Sequence, residues 1–208
     1  MREVLKKIVS DVSLEARWLK TVSLLEYVGS RKISKTVGQK YPSLDILEHL
    51  NDETRHAYAF AKLSNSLAQN QEISSLCAEE GLHYFQTLDK SLSGWVTQLL
   101  GHEDMYANYL FVTCAIERRA MSLYPYYQSI TPHLFVRDEL RQVILEENTH
   151  RKPIEEKISQ ILRKYGREDF SECQAIEEKL FTEFSDKIQS YLSKIDKTLL
   201  AFGIRQSS

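Results

Sequence analysis

Two segments of this sequence place a histidine three residues after a glutamate. The first pair is Glu53 and His56, and the second pair is Glu147 and His150. Residues three apart lie on one face of an α-helix, so each pair would direct a carboxylate and an imidazole toward the same point. Carboxylate and imidazole ligands suit iron or manganese better than a thiolate-rich site would. The two pairs therefore predict metal ligands.

A further glutamate precedes each pair inside an apolar helical segment. Glu26 lies 27 residues before Glu53, and Glu117 lies 30 residues before Glu147. If a helical hairpin joins the two glutamates of the first set, its arms are roughly 16 Å and 15 Å long at the helical rise. The arms of the second hairpin match nearly as closely. Each hairpin would therefore hold its two glutamates at the same height.

The residues that share a helix face with these side chains are mostly apolar, which indicates that the acids face inward. Buried carboxylates are costly unless an opposite charge compensates them, and four together would repel one another. Two divalent cations balance four carboxylates. We predict that Glu26 and Glu117 are terminal ligands, that Glu53 and Glu147 bridge the metals, and that one histidine binds each metal. The predicted metal and catalytic residues are Glu26, Glu53, His56, Glu117, Glu147 and His150.

This order of ligands resembles the pattern of the ferritin-like di-iron carboxylate superfamily, in which a glutamate and a Glu-x-x-His motif occur twice. The resemblance covers about residues 11–165. It implies a four-helix bundle around two iron ions, with manganese or a mixed manganese and iron pair as further options. It does not select an activity, because one fold carries many functions.

The rest of the chain must position these ligands, and its apolar residues recur with helical rather than strand periodicity. We therefore predict an all-α fold in one domain, residues 1–208, with a ferritin-like core at about 11–165. A fourth core helix would begin at Thr131 or near Asp138, end near Tyr165 and be kinked at Pro153. The other predicted helices are 11–37, 43–69, a crossover helix at 73–91 and 95–128 with a break at Gly101, followed by an additional helix at 171–201.

Composition excludes several other classes of protein. The net charge of −2 and the lack of a basic run argue against a nucleic-acid partner. Three widely spaced cysteines exclude a disulfide framework and favour a reduced, cytoplasmic setting. No apolar run approaches ~18 residues, so we expect no membrane span.

Two functional classes remain open. The favoured one is a di-metal enzyme that activates O₂ to oxidise or oxygenate a small organic substrate, with electrons from an external donor. The alternative is a ferroxidase or iron-handling protein, or a rubrerythrin-like peroxide-detoxifying protein. Against the rubrerythrins, rubredoxin cysteines are missing and Ala120 occupies the position of their additional glutamate. The helix at 171–201 is expected to pack on the bundle, with a homodimer contact as the second interpretation.

Three other polar positions have weaker signals. Glu80 and His83 repeat the Glu-x-x-His spacing, but no second hairpin completes a site around them, so we interpret them as surface residues. His49 lies one turn before Glu53 and could orient a ligand, although an exposed position is favoured. Glu146 adjoins Glu147, and we expect it to meet solvent or form a salt bridge.

Overall fold

The structure, a computed structural model, describes residues 1–36, 42–167 and 169–201. These residues form helices joined by short connections and contain no strand, which confirms the predicted all-α class. None of the described helices is both long and apolar enough to cross a lipid bilayer. The helices are α1 (Arg2–Val9), α2 (Val12–Thr36), α3 (Leu44–Leu67), α4 (Ala78–Leu100), α5 (Met105–Ile130), α6 (Leu134–Lys164) and α7 (Ser171–Ala201).

Helices α2, α3, α5 and α6 lie side by side and form two antiparallel hairpins. In the first hairpin, the Ser23 hydroxyl donates to the Ala57 carbonyl and the Ser64 hydroxyl donates to the Ala16 carbonyl. Helix α2 also packs against α5, and α3 packs against α6. The connection that contains α4 runs back along α2, so α5 starts at the same end of the bundle as α3. All neighbouring helices among these four are therefore antiparallel.

The core lies along the shared axis of these four helices. Leu19, Phe60, Leu110 and Leu140 contribute one fully buried side chain from each helix. Burying each of these side chains stabilises the fold by about 1.5–3 kcal/mol relative to leaving it exposed. The remaining helices cover the outside: α1 packs on α2 and α5, while α4 and α7 pack on each other and on α5.

Helix α7 is fixed to the bundle by an ion pair as well as by aromatic contacts. Arg119 of α5 donates two hydrogen bonds to Glu177 of α7, at 2.9 Å and 2.6 Å. The Tyr84 hydroxyl of α4 donates to the same carboxylate at 2.8 Å, and the Tyr84 ring stacks on Phe184. This paired charge, with Glu177 only 6% exposed, joins three helices at one point.

Several predicted helix boundaries were wrong. Helix α1 was not predicted, although its buried residues Val4, Leu5 and Ile8 follow helical spacing. The crossover helix was predicted to end at 91–94 but continues through Gly94 to Leu100, because Leu92 and Val96 are buried. That packing outweighs the cost of about 1 kcal/mol for glycine inside a helix.

The remaining boundaries agree more closely with the sequence. The break at Gly101 is confirmed, since its φ of 78° ends α4. Helix α6 begins at Leu134, between the two predicted starts, and continues through Pro153 to Lys164. The predicted stop near Gly38 lies outside the described residues.

Candidate metal centre

Seven side chains from the four bundle helices form two adjacent groups of possible metal ligands. Within each group, one donor atom of every residue lies within 4.8 Å of a donor atom of each other residue. The first group contains Glu26, Glu53, His56 and Glu147, and the second contains His49, Glu117 and His150. All six residues predicted from the sequence therefore lie in these groups, and His49 is an addition.

The local sequence explains why these side chains face inward. Buried positions of α3 follow one another at intervals of three and four residues, so its two histidines and its glutamate lie on the core face. Glu117 of α5 and Glu147 of α6 are each only 2% exposed. On α2, a Cβ added at Gly29 would lie 3.1 Å from the Glu53 carboxylate, so glycine at this position leaves room for that acid.

The carboxylates are close enough to change one another's protonation. Burial, followed by the charge of Glu53, raises the pKa of Glu26 well above its usual value. Burial and the charge of Glu147 raise the pKa of Glu117 in the same way, and the pKa of Glu53 to about 8. A cluster of this kind holds protons at neutral pH unless cations take their place.

Each of the two Glu-x-x-His histidines has one ring nitrogen beside an acidic side chain. The outer nitrogen of His56, Nε2, lies 2.8 Å from a carboxylate oxygen of Glu146, and Nε2 of His150 lies 3.0 Å from one of Asp52. In both residues the inner nitrogen, Nδ1, is buried and makes no hydrogen bond within the described part of the chain, although Nδ1 of His56 lies 3.3 Å from a carboxylate oxygen of Glu147. An imidazole that donates one N–H to an acid presents its other nitrogen as a metal ligand.

Each of these two acids contacts the histidine of the opposite hairpin. Asp52 directly precedes Glu53 and contacts His150, whereas Glu146 directly precedes Glu147 and contacts His56. The predicted salt bridge of Glu146 is confirmed, because it also pairs with Arg55. Its contact with His56 was missed, although an acid immediately before both motifs was visible in the sequence.

The charges of the histidines follow from their surroundings. Burial disfavours the charged form of His56, but its contact with Glu147 and the charges of Glu26 and Glu53 outweigh burial and raise its pKa to about 10. Burial lowers the pKa of His49 to about 4 and also lowers that of His150. His49 is therefore a neutral imidazole at physiological pH.

The favoured prediction for His49, an exposed position, was wrong. This side chain is 2% exposed. Its Nε2 lies 3.1 Å from Glu53 and 3.5 Å from Glu117, and its Nδ1 lies 2.8 Å from the hydroxyl oxygen of Tyr109. The spacing of Ile46, His49 and Glu53 along one helix face is the signal that could have indicated burial. By contrast, His83 is exposed, as predicted, and belongs to neither group.

Unsatisfied polar atoms test whether these groups suit a metal. Among the described residues, both carboxylate oxygens of Glu117, one of Glu147, and Nδ1 of His56 and His150 are buried without a hydrogen-bond partner. Leaving such an atom unpaired costs about 1–3 kcal/mol. All five atoms are electron-pair donors once they are deprotonated, so divalent cations bound within the two groups would satisfy them. Four carboxylates with three imidazoles suit metals such as iron and manganese.

Two cavities of different character reach this centre. The first, of about 110 Å³, lies between α2, α4, α5 and α7 and is bordered by Glu26, Glu53 and Glu117. Its walls are almost entirely apolar, including Trp18, Val22, Ile116, Leu123, Phe181 and Phe184. The second, of about 190 Å³, lies between α3, α5 and α6, and its more polar walls include Asp45, Glu48, His49, Tyr109 and His150.

The cationic side chains in the wall of the apolar cavity are already paired. Lys32 forms an ion pair with Asp89, and Arg119 pairs with Glu177 and Glu178. At the side of the centre, the Tyr124 hydroxyl donates a 2.5 Å hydrogen bond to Glu26. The cavity therefore offers apolar surface and the carboxylates of the two candidate ligand groups, and the lysine and the arginine that line it among the described residues both have acidic partners. Comparison with protein families, with curated proteins and with solved structures found no match to this chain.

Proposed function

We propose that this protein is a ferritin-like di-iron oxidoreductase that activates O₂ to oxidise or oxygenate a small, largely apolar organic molecule. The observation that carries the proposal is that two adjacent clusters of glutamates and histidines lie in the core beside an apolar cavity. Two bound Fe(II) ions would supply the redox chemistry, and the protein would supply ligands, orientation and access. The ligands are the six residues predicted from the sequence.

The arrangement of the helices supports a ferritin-like fold. Each hairpin contributes one glutamate from its first helix and a Glu-x-x-His pair from its second, as in di-iron carboxylate bundles. The long connection through α4 makes α3 and α5 parallel, which brings the two hairpins together around one centre. The acids that precede the two motifs tie each hairpin to the histidine of the other.

The apolar cavity supports an enzyme that acts on an organic molecule. An engineered apolar cavity of about 150 Å³ stays dry and binds benzene, so about 110 Å³ suits a molecule or molecular fragment of slightly smaller size. The side chains that line this space exclude water and hold the substrate next to Glu26, Glu53 and Glu117. Tyr124 fixes the Glu26 carboxylate at the edge of the cavity through its hydrogen bond.

The more polar cavity supports the second candidate function, iron handling or peroxide removal. It reaches His49 and His150 past the carboxylates of Asp45 and Glu48, which would attract hydrated cations. Lys157 lies in the same wall and pairs with Asp45, which reduces that attraction. This balance favours an enzyme over a protein that passes large amounts of iron.

The test is an anaerobic Fe(II) titration followed by exposure to oxygen, with and without n-butane, an apolar probe smaller than benzene. We expect the protein to bind about two irons per chain, the complement that four carboxylates balance. Butane should change the rate of oxygen consumption in the unmodified protein. Uptake of iron far beyond this complement, with growth of a mineral, would instead indicate storage.

The matched control is Ala120→Leu. Ala120 lines the apolar cavity one turn after Glu117 and is not a ligand, so the larger side chain fills the space and leaves the donors in place. The variant should retain iron binding and lose the response to butane. An unchanged response would show that butane acts elsewhere and would remove the support that the cavity gives to the proposal.

A further inference from the structure

One of the positions at which the two hairpins differ lies four residues before the glutamate of each Glu-x-x-His pair. Four residues before Glu53 is His49, whereas four residues before Glu147 is Val143. Both positions are buried, at 2% and 0% exposure. At this equivalent position, α3 therefore has a buried imidazole and α6 has a buried aliphatic side chain.

The surroundings of His49 match those of a metal-binding histidine. Its Nε2 faces the oxygens of Glu53 and Glu117, at 3.1 Å and 3.5 Å. An Nε2 lone pair is available only when the ring proton is on Nδ1, and that N–H can donate to the Tyr109 oxygen 2.8 Å away. Tyr109 would then orient His49 as Glu146 orients His56. Tyr109 contacts Nδ1 of His49, Glu146 contacts Nε2 of His56, and in each ring the other nitrogen is directed toward the candidate ligands.

We propose that His49 is a seventh protein ligand, which makes the two metal positions unequal. This inference rests on the proposed di-metal centre. One position would have two imidazoles with Glu117, the other would have one imidazole with Glu26, and both would share Glu53 and Glu147. Divalent metals later in the first transition row gain most from nitrogen ligands, so the His49 position should discriminate more strongly against Mn(II).

A purely structural role makes a different prediction. If Nε2 carried the proton, His49 would only donate a hydrogen bond to Glu53 at 3.1 Å and would bind no metal. Glutamine can donate a similar hydrogen bond from its amide but is a poor replacement for imidazole as a ligand. His49→Gln therefore separates the two roles, whereas His49→Val removes both and copies the α6 sequence.

The experiment is anaerobic calorimetry of Fe(II) and Mn(II) binding to the metal-free protein. We expect two binding steps in the unmodified protein, with a larger preference for Fe(II) over Mn(II) in the tighter step. Both His49→Gln and His49→Val should weaken that step by at least the 10- to 100-fold that loss of an orienting partner typically causes. Thermal unfolding of the metal-free variants checks that they are folded, and the exposed His83→Val should bind as the unmodified protein does.

The outcomes separate this inference from the proposed function. Two equal binding steps, or a His49→Gln variant that binds like the unmodified protein, would leave the di-metal centre intact and overturn the role of His49. Failure of the unmodified protein to bind either metal would overturn the centre itself. Loss of the tighter step in both His49 variants, with the weaker step unchanged, supports the inference.

Discussion

The hairpins α2–α3 and α5–α6 supply the same kinds of side chain in the same order, yet their surroundings differ. Each contributes one glutamate, then an acid directly followed by a Glu-x-x-His pair. Beyond these residues the first hairpin adds His49 and the small Gly29, while the second has Val143 and Ala120 at the matching positions. The shared residues form most of the two candidate ligand groups, and the unshared residues make the two halves of the site chemically different.

This comparison also explains why the acids before the motifs belong to the centre. Asp52 and Glu146 each orient a histidine of the other hairpin, so neither hairpin holds its own histidine in place alone. The two halves therefore form one site only after they have packed together. The predictions below test how far the halves are equivalent, beginning with the largest expected effect.

The first prediction compares the two glutamates expected to bridge the metals, Glu53 and Glu147, with the two expected to be terminal ligands, Glu26 and Glu117. Glu53→Gln and Glu147→Gln should each prevent stoichiometric loading, because these two carboxylates would each hold both metals, whereas Glu26→Gln and Glu117→Gln should each lose about one metal per chain. Metal content after anaerobic loading and desalting measures this difference. Glutamine keeps the size of each side chain, and Glu80→Gln on α4 is the control. Equal losses in all four variants would contradict the division into bridging and terminal ligands.

The second prediction compares the two crossed acids. Asp52→Asn should weaken metal binding through His150, and Glu146→Gln should weaken it through His56, each by about 10- to 100-fold. Competition with a chelator of known affinity measures both. Glu139→Gln is the control for Glu146, because Glu139 pairs with Arg55 but does not contact a histidine. If either acid variant binds metal as tightly as the unmodified protein, that acid does not orient a ligand.

The third prediction concerns pH. In the metal-free protein, folding raises the pKa of Glu53 from 4.5 to about 8 and that of His56 from 6.5 to about 10. The folded state therefore binds more protons than the unfolded chain, and its stability falls as pH rises through this window. Metal binding needs deprotonated ligands and strengthens over the same range.

The difference in melting temperature between loaded and metal-free protein should consequently widen between pH 6 and pH 8. At a free metal concentration of 100 times Kd the stabilisation is about 2.7 kcal/mol, or roughly 5–11 °C for a chain of this size. Thermal unfolding with and without a chelator measures the difference. A melting temperature that is unchanged after confirmed metal removal would contradict a buried metal centre.

Much of the candidate site could be predicted because it depends on spacing within single helices and along single hairpins. The intervals between Glu26 and Glu53 and between Glu117 and Glu147 were sufficient to expect four side chains at one height. His49 could not be assigned in the same way, because a lone histidine on a helix is more often exposed. The roles of Asp52 and Glu146 depend on how the hairpins pack against each other, which spacing along one helix does not encode.

The fold shows the same division between local and tertiary information. The glycine at 101 adopts a left-handed conformation that ends a helix, and this local signal was read correctly. Gly94 is also a glycine that predicted a helix end, but it lies inside α4, because burial of Leu92 and Val96 favours continuing the helix. Helix α1 was not predicted because its three buried side chains stabilise it only through packing against α2 and α5.

The attachment of α7 through Arg119 and Glu177 has a consequence for the occupancy of the apolar cavity. Phe181 and Phe184 of α7 form part of the cavity wall, so the cavity keeps its shape only while this helix is docked. A molecule that binds in this cavity stabilises the docked position of α7, and docking of α7 strengthens the binding of the molecule by the same free energy. Docking of α7 is thus thermodynamically linked to ligand binding in the cavity. A bound molecule should slow amide hydrogen exchange along the backbone of α7.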